Sequence, residues 1–247
     1  GYYRVVSGSD IQDPKYNINP PGVDENYYFP YYEKVKRDPS RTSYWEKRLF
    51  FKDYPDVSGV IKDPEKPLLF TMARLDKIKN LSGLVEAFCK NPALNEMANL
   101  IVAAGTIHFE ESRDEEEKNE IRKIYDLVNN YNLDGKFRWL PSINKRETGE
   151  VYRIIADRRG IFVQPALFEG FGLTILEAML SGLPTFGTMY GGPSEIIEDG
   201  LGGFLINPHD SESLSGVILT FLKKAKNNPA YWHKISEAGI KRVREHF

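Results

Sequence analysis

The chain has 247 residues, enough to bury the core of one large domain, and its 41% hydrophobic and 28% charged residues are ordinary for a globular protein. The formal net charge is −2 and the basic residues are scattered, which argues against binding to nucleic acid or to an anionic membrane. No apolar run approaches the roughly 20 residues that span a bilayer. The N-terminus lacks a Met, a charged leader and an apolar signal core, so we expect the sequence to start within a longer protein.

A single cysteine, Cys89, excludes an internal disulfide and fits a reducing compartment, which predicts a cytoplasmic protein. It falls in the apolar pattern of a predicted helix, and this pattern indicates a buried thiol rather than a nucleophile. The four histidines are isolated from one another and lack the spacing of a metal site. We therefore expect no metal and no tightly bound cofactor.

Residues 1–66 are rich in Tyr, Pro and Asp and contain turn signals such as Asp63-Pro64. A short strand over 3–6 and a helix over 43–52 are the regular elements predicted there. We expect this stretch to be a linker and the tail of a missing N-terminal half. Residues 67–247 are then a separate domain.

Beyond residue 66, apolar runs that predict strands alternate with stretches that predict helices. The predicted strands cover residues 68–73, 100–104, 136–140, 161–164, 184–187 and 203–206. The predicted helices lie near 80–90, 114–131, 147–158, 172–181, 193–199, 211–226 and 229–246. Continuously apolar strands between helices predict an α/β fold with a Rossmann-like, doubly wound parallel sheet. Ligands bind such sheets beyond the carboxyl ends of the strands.

The loop after the first of these strands, ARLDKIKN, has Arg74 at its start and Lys79 just before the next helix. Two cations at the mouth of a parallel sheet, beside a helix N-terminus, suit a diphosphate, although a pair of ordinary surface charges is the alternative. The loop lacks the G-x-G-x-x-G pattern of dinucleotide-binding folds. A nicotinamide-dependent oxidoreductase is therefore disfavoured.

The loop after the fourth strand, FEGFGLTILEAM, places Glu169 ahead of a helix that begins near Gly172, whose first amides are oriented to receive an anion. Glu177 falls on the apolar stripe of that helix with Leu173, where an acid needs a partner. A sugar diol would be one partner, and an internal arginine or capping amides would be another. Glu169 is either a cleft residue or a solvent-facing loop acid. The later loop 188–193 either lies near the ligand or is an ordinary turn.

Four segments resemble the C-terminal, donor-binding half of a retaining glycosyltransferase of the GT-B fold, and more narrowly the sucrose synthase family. In chain order they are YRVVSGSDIQDPKYNINPPGVDENYYFPY, LLFTMARLDKIKNLSGLVEAF, GEVYRIIADRRGIFVQPALFEGFGLTILEAMLSGLPTF and YGGPSEIIEDGLGGFLINP. The resemblance implies a hexosyltransferase domain that binds the donor in a reversible transfer of glucose between sucrose and a nucleoside diphosphate (sucrose + NDP = NDP-glucose + fructose).

The resemblance implies a role for each matching residue. Arg74 and Lys79 would hold the diphosphate and stabilise it as the leaving group during catalysis. Glu177 would accept the ribose hydroxyls. Glu169 would orient the hexose and support positive charge at the anomeric carbon, without acting as a nucleophile. Further contacts to the hexose and the distal phosphate would come from the amides of Phe171, Gly172 and Leu173 and from the hydroxyl of Thr174.

Three departures from the family pattern affect these expectations. Ala104-Gly105-Thr106 stands where the family usually has Gly-Gly-Asp. The nucleobase loop, WLPSINKRETGE, is one residue shorter than in plant members, so Ser142 and Thr148 are the nucleobase candidates and the nucleotide is ADP or UDP. The resemblance implies an N-terminal catalytic half and a C-terminal extension that this sequence lacks, so we expect the fragment alone to be inactive. We also expect the parent protein to be a homo-oligomer.

Two other functions fit the same fold. A donor domain of a sucrose-phosphate synthase would share the donor, and the wording FTMARLDKIKNLSGL favours sucrose synthase over it. A non-catalytic domain that binds nucleotide sugars or a partner protein would keep the fold and lose the chemistry.

Overall fold

The computed structural model describes residues 24–51 and 53–247. Its strands are β1 (Leu68–Met72), β2 (Asn99–Ala103), β3 (Phe137–Leu140), β4 (Ile161–Gln164), β5 (Thr185–Thr188) and β6 (Phe204–Ile206). They form one parallel sheet in the order β3-β2-β1-β4-β5-β6, and every strand end lies within one residue of its predicted position. The strand order reverses between β1 and β4, so a ligand crevice is expected at the carboxyl ends of these two strands. The predicted doubly wound fold is confirmed.

Helices connect successive strands and cover the sheet. Within the described ranges they are α1 (Pro39–Glu46), α2 (Leu81–Cys89), α3 (Pro92–Met97), α4 (Glu115–Asn130), α5 (Lys145–Asp157), α6 (Leu173–Leu180), α7 (Pro193–Ile196), α8 (Ser211–Asn227) and α9 (Pro229–His246). In one group α2 packs against α4 and α8, and in another α6 packs against α5 and α9. The sheet between them is apolar because helices of a doubly wound fold bury both of its faces.

Two predicted helices differ from the structure, and one helix was not predicted. The helix predicted over 43–52 is wrong in its bounds: α1 begins at Pro39, because the Asp38 side chain caps it by accepting from Ser40 N at 2.9 Å. It continues as a π-helical turn over Lys47–Phe51. The sequence pattern does not predict α3, which Asn91 caps in the same manner. The helix near 193–199 is shorter than expected, because Ile197 adopts an extended backbone.

The remaining general expectations concern Cys89, metals and membranes. Cys89 is buried, as predicted, and burial raises the pKa of its thiol to about 11. In the described part of the chain, no three His, Cys, Asp or Glu residues form a cluster that could hold a metal ion. None of the described helices is both long enough and apolar enough to cross a bilayer. The strand predicted over 3–6 lies outside the described residues.

Residues 24–51 pack on the same core as the sheet, with Tyr28 and Leu49 buried in it. Arg37 Nη2 donates to Glu150 Oε1 of α5 at 2.7 Å, and Arg153 Nη2 donates to Glu150 Oε2 at 3.0 Å. All three of these charged side chains are nearly fully buried. A buried ion network therefore attaches this segment to the domain. The domain boundary at residue 66 stays a prediction.

Candidate functional site

An ion pair joins the loops that follow β1 and β4. Lys79 Nζ donates to Glu169 Oε2 at 2.7 Å, and the two side chains are 20% and 16% exposed. The backbones of the same loops also meet, since Leu167 N donates to Ile78 O at 2.8 Å. Because β1 and β4 are neighbours in the sheet, the pair lies where the strand order reverses. The structure thus brings two of the predicted site residues together at the predicted edge.

Two polar side chains that the sequence pattern does not single out support this pair. Gln164, the last residue of β4, is buried, and its Nε2 donates to Glu169 Oε2 at 2.6 Å. Asn80 Nδ2 donates to Pro165 O at 3.1 Å and to Pro208 O at 3.3 Å, which connects the loops after β1, β4 and β6. A polar residue that ends an apolar strand is the signal that would have pointed to Gln164.

Arg74 lies in the same loop as Lys79 but makes a different contact. Its side chain is 83% exposed, and its guanidinium pairs with Asp76 at 3.3 Å. The structure therefore does not bring Arg74 and Lys79 together as a clamp: Lys79 contacts Glu169 and Arg74 contacts Asp76. An incoming anion would compete with these two carboxylates for the cations.

The start of α6 presents backbone amides that make no hydrogen bond within the helix. Gly172 caps the helix in a left-handed conformation, with φ 106°. Hydrogen bonding within the helix begins at Ile175, whose N–H donates to Gly172 O at 3.0 Å. The amides of Leu173 and Thr174 therefore precede the intrahelical ladder, as the first amides of any helix do. They follow Phe171, which is half-buried at the end of the loop.

The loop 188–193 is hydrogen-bonded to the loop that carries Glu169. Glu169 N donates to Tyr190 O at 3.1 Å, and Gly192 N donates to Glu169 O at 2.8 Å. Between these bonds, Gly191 has φ 102° and passes so close that a Cβ on it would lie 2.0 Å from Glu169 O. The two loops are therefore a single backbone ladder, and a side chain at Gly191 would separate them.

Replacing Gly191 by alanine is expected to destabilise the protein by about 1–3 kcal/mol, because the added methyl forces the two loops apart at a strained φ. Gly170→Ala, in the same loop system, is the matched control, since nothing lies within 4 Å of the added Cβ. Its effect should stay within about 0.5 kcal/mol. Urea unfolding of the two variants measures the difference, and equal stabilities would contradict the ladder.

Glu177 lies inside the protein, 6% exposed, in the middle of α6. Burial raises the pKa of its carboxyl to about 7, while the Tyr28 phenol and the Lys145 ammonium lower this pKa. The structure differs from the predicted apolar stripe in two ways. The side chains over Ile175–Leu180 are all buried, and Leu173 at the start of the helix is 39% exposed. The sequence left an internal arginine open as the partner of Glu177. Among the described residues, no arginine is one of the groups that shift the pKa of this carboxyl.

The two nucleobase candidates have different environments. Thr148 is buried in α5, where its hydroxyl donates to Lys145 O at 2.9 Å and is hydrogen-bonded to the Tyr28 hydroxyl at 2.8 Å. Ser142 is exposed in the loop after β3, and its N–H donates to Gly105 O at 3.1 Å. Tyr28 thus links Thr148 with Glu177. No local sequence pattern would reveal this, because 120 positions separate Tyr28 from Thr148.

Family models match two parts of the chain. A model described as "Glycosyl transferases group 1" matches residues 57–242, and one described as "Sucrose synthase first GT-B domain" matches residues 1–50. The first match covers the whole sheet and both groups of helices except the last turn of α9. The second covers most of the segment that the sequence predicts to be the tail of a preceding half.

Sucrose synthases share about half of the residues of this chain. The sucrose synthase of Thermosynechococcus vestitus is 53% identical over 243 residues, which are 98% of this chain and 30% of that protein. Sucrose synthase 3 of Arabidopsis thaliana is 49% identical over 249 residues, which are 100% of this chain and 31% of that protein. The predicted resemblance is confirmed, and the chain spans about three-tenths of the length of these relatives.

Solved structures share the fold at lower identity. Sucrose-phosphate synthase from Thermosynechococcus elongatus has a TM-score of 0.67 and 21% identity over 92% of this chain and 47% of that chain. Anabaena HepE, in complex with UDP and glucose, has a TM-score of 0.64 and 18% identity over 85% of this chain and 49% of that chain.

A third structure is the C-terminal domain of a glycosyl transferase group 1 family protein from Francisella tularensis. Its TM-score is 0.63 and its identity 23%, over 91% of this chain and 97% of that chain. The neighbours thus have the fold expected of the C-terminal half of a GT-B glycosyltransferase. Since the family model covers most of the residues, the chain belongs to the glycosyl transferases group 1 family, with sucrose synthases among its relatives.

Proposed function

We propose that the chain is the donor-binding half of a sucrose synthase, which interconverts sucrose and a nucleoside diphosphate with NDP-glucose and fructose. The support is the 53% identity to a sucrose synthase over nearly the whole chain. Because that relative is more than three times as long, the acceptor site and much of the chemistry would come from a preceding half. The chain alone is expected to show negligible turnover of sucrose.

The observation that carries the proposal is the Lys79–Glu169 pair, which stands at the switch point of the sheet beside the start of α6. Lys79 and Arg74 would receive the diphosphate together with the first amides of α6, whose dipole favours an anion. The hydroxyl of Thr174 would add a contact to a phosphate. HepE, which has the same fold, was solved in complex with UDP and glucose, so a protein of this fold can bind a nucleotide.

Glu177 would bind the ribose. Burial disfavours the ionised form of this carboxyl and raises its pKa to about 7. Two hydroxyl groups of a ribose would donate hydrogen bonds to its oxygens and favour the ionised form. This role explains why an acid, rather than a leucine, occupies the buried face of α6. The Tyr28 phenol would help to hold the carboxylate in place.

In the chemical step, the bond between the anomeric carbon and the diphosphate oxygen breaks as the acceptor attacks, so negative charge develops on the diphosphate. Arg74, Lys79 and the amides of α6 would stabilise that charge, which is the main electrostatic contribution that such a site can make. Glu169 would orient the hexose hydroxyls and support the positive charge at the anomeric carbon. Retention of configuration would follow from attack on the face that the diphosphate leaves, without a protein nucleophile.

The two nucleobase candidates differ in how free their hydroxyl groups are to contact a base. The Thr148 hydroxyl already bonds to Tyr28 and Lys145, so the exposed Ser142 is better placed to contact a base. ADP and UDP are both proposed as substrates. We also propose that the parent protein is a cytoplasmic homo-oligomer and that it uses sucrose and fructose as substrates.

Titration of the chain with ADP and UDP by calorimetry tests the proposal. We expect at least one nucleotide to bind, and we expect Glu177→Ala to weaken both nucleotides by about 1–3 kcal/mol, the value of a hydrogen bond to a charged group. Arg74→Ala should weaken both nucleotides as well, because the diphosphate is common to them. Lys90→Ala, which removes a surface ion pair with Glu86 on α2, is the control and should leave the affinities unchanged.

The alternatives give different results. If neither nucleotide binds at millimolar concentration, the proposal fails and a non-catalytic interaction domain is favoured. A sucrose-phosphate synthase would bind the same donor but, once joined to its N-terminal half, would require fructose 6-phosphate as acceptor. The solved sucrose-phosphate synthase shares 21% of its residues with this chain, far below the 53% of the sucrose synthase.

A further inference from the structure

The Glu169 carboxylate is held through one of its two oxygens. Both Lys79 Nζ and Gln164 Nε2 donate to Oε2, at 2.7 and 2.6 Å. Within residues 24–51 and 53–247, no hydrogen bond to Oε1 is recorded, and the side chain keeps 16% of its surface exposed. The carboxylate therefore has one oxygen held by two donors and one oxygen without a partner among the described residues.

Gln164 keeps this arrangement at the expense of its own carbonyl oxygen. A carboxylate oxygen only accepts hydrogen bonds, so the amide must present Nε2 to Glu169. This orientation leaves Gln164 Oε1 buried without a partner in the described part of the chain. A buried acceptor without a partner is destabilising, and a leucine of similar size would avoid the penalty. Stability alone does not explain a glutamine at this position.

The two donors to Glu169 differ in what a ligand would do to them. Lys79 is a flexible cation at the crevice, and a diphosphate would attract it away from Glu169. Gln164 is neutral, buried at the end of β4 and unable to follow the phosphate. When Lys79 turns to a ligand, Gln164 is therefore the donor that remains on Glu169 Oε2.

We propose that Gln164 is a positioning residue: it fixes the Glu169 carboxylate so that the free oxygen Oε1 meets the hydroxyls of the glucosyl group of the donor. The proposal rests on the proposed function of the site and adds a specificity-determining residue to it. Gln164 itself does not touch the reacting atoms. Its effect should appear only when the ligand contains the sugar.

The test compares NDP with NDP-glucose, using whichever of the ADP and UDP series binds to the chain. We expect Gln164→Leu to weaken NDP-glucose roughly tenfold, as for a lost hydrogen bond to a charged group. The affinity for bare NDP should change less than about twofold, because ribose and diphosphate contacts lie on other residues. A double-mutant cycle with Glu169→Gln should show effects that do not add, since Gln164 acts through Glu169.

A matched control is available on the neighbouring strand. Thr71 of β1 is also buried, and its Oγ1 also lacks a partner among the described residues. Thr71→Val removes that oxygen and preserves the volume, and we expect it to leave the preference for NDP-glucose over NDP unchanged. Thermal unfolding verifies that both variants fold. If Gln164→Leu does not fold, Gln164→Met, which keeps the length of the side chain, replaces it.

The outcomes separate the two proposals. Equal weakening of NDP and NDP-glucose by Gln164→Leu, or no weakening of either, would overturn the positioning role while nucleotide binding stands. A wild-type chain that binds NDP-glucose no better than NDP would overturn it as well, since Oε1 would then have no sugar partner. A wild-type chain that binds no nucleotide would refute the proposed function itself, and the positioning role with it.

Discussion

Replacing Glu150 by alanine is expected to lower the free energy of unfolding by about 3–5 kcal/mol, the cost of breaking a buried ion pair by removing one partner. The carboxylate accepts from Arg37 through Oε1 and from Arg153 through Oε2. Thr42 also donates to Oε1, at 2.6 Å. Without Glu150, two guanidinium groups with about 5% of their surface exposed would lose this carboxylate partner.

Urea unfolding followed by circular dichroism measures this effect. The control is Glu86→Ala, which removes an exposed pair with Lys90 four residues away in α2 and should cost less than about 1 kcal/mol. A loss of similar size in both variants would contradict the network. Because Arg37 and Thr42 precede the sheet and Glu150 lies in α5, part of this loss comes from contacts between residues 24–51 and the rest of the domain.

Between pH 4 and pH 8, the difference in the free energy of unfolding between Glu177→Gln and the wild type is expected to shift by about 3 kcal/mol in favour of the variant. The folded-state pKa of Glu177 is about 7, above the ordinary value of 4.5, because burial disfavours the charged form. Each unit of pKa shift corresponds to about 1.4 kcal/mol. The sign follows from linkage: the folded state binds the proton more tightly, so the wild type loses stability as the pH rises from about 4.5 to about 7.

Urea unfolding of the two proteins between pH 4 and pH 8 gives this difference directly. Other groups that titrate in this range cancel when the wild type is compared with the glutamine variant. A difference that does not change with pH would show that the carboxyl titrates at its ordinary value. The groups facing Glu177 that affect the result are the Tyr28 and Tyr152 phenols and the Lys145 ammonium.

The same carboxyl links pH to ligand affinity. If the ribose hydroxyls donate to an ionised Glu177, the bound state has the lower pKa and nucleotide affinity rises between pH 6 and pH 8. In Glu177→Gln the amide cannot ionise, so the part of the pH dependence of nucleotide affinity that comes from residue 177 should disappear. Binding and stability therefore change in opposite directions with pH through one group.

The sequence predicted the sheet well, because most of its strands are largely apolar runs that alternate with helical stretches. Lys79 and Glu169 were predictable for the same reason, since both follow neighbouring strands of a parallel sheet. Glu177 was recognisable as an acid among apolar residues of one helix. These signals are all local in the chain.

The features that the sequence did not predict depend on contacts between residues that lie far apart in the chain. Tyr28 meets Thr148 across 120 positions, and the Arg37–Glu150 contact spans 113 positions. Neither pair has a periodic pattern that connects its members. The exposed position of Arg74 and the role of Gln164 depend on side-chain geometry at the ends of strands, which strand propensity does not determine.

The backbone ladder between Glu169 and Gly191 determines when the backbone entropy of the loop that carries Glu169 is lost. Ordering a free residue costs about 1–2 kcal/mol of backbone entropy, and a floppy loop would lose that entropy at every encounter with a ligand. Here Glu169 N donates to Tyr190 O and Gly192 N donates to Glu169 O, so the loop is ordered by bonds within the protein itself. Any ligand that contacts Glu169 would therefore meet a loop whose backbone is already ordered by folding, and we expect the loop to keep its conformation on binding.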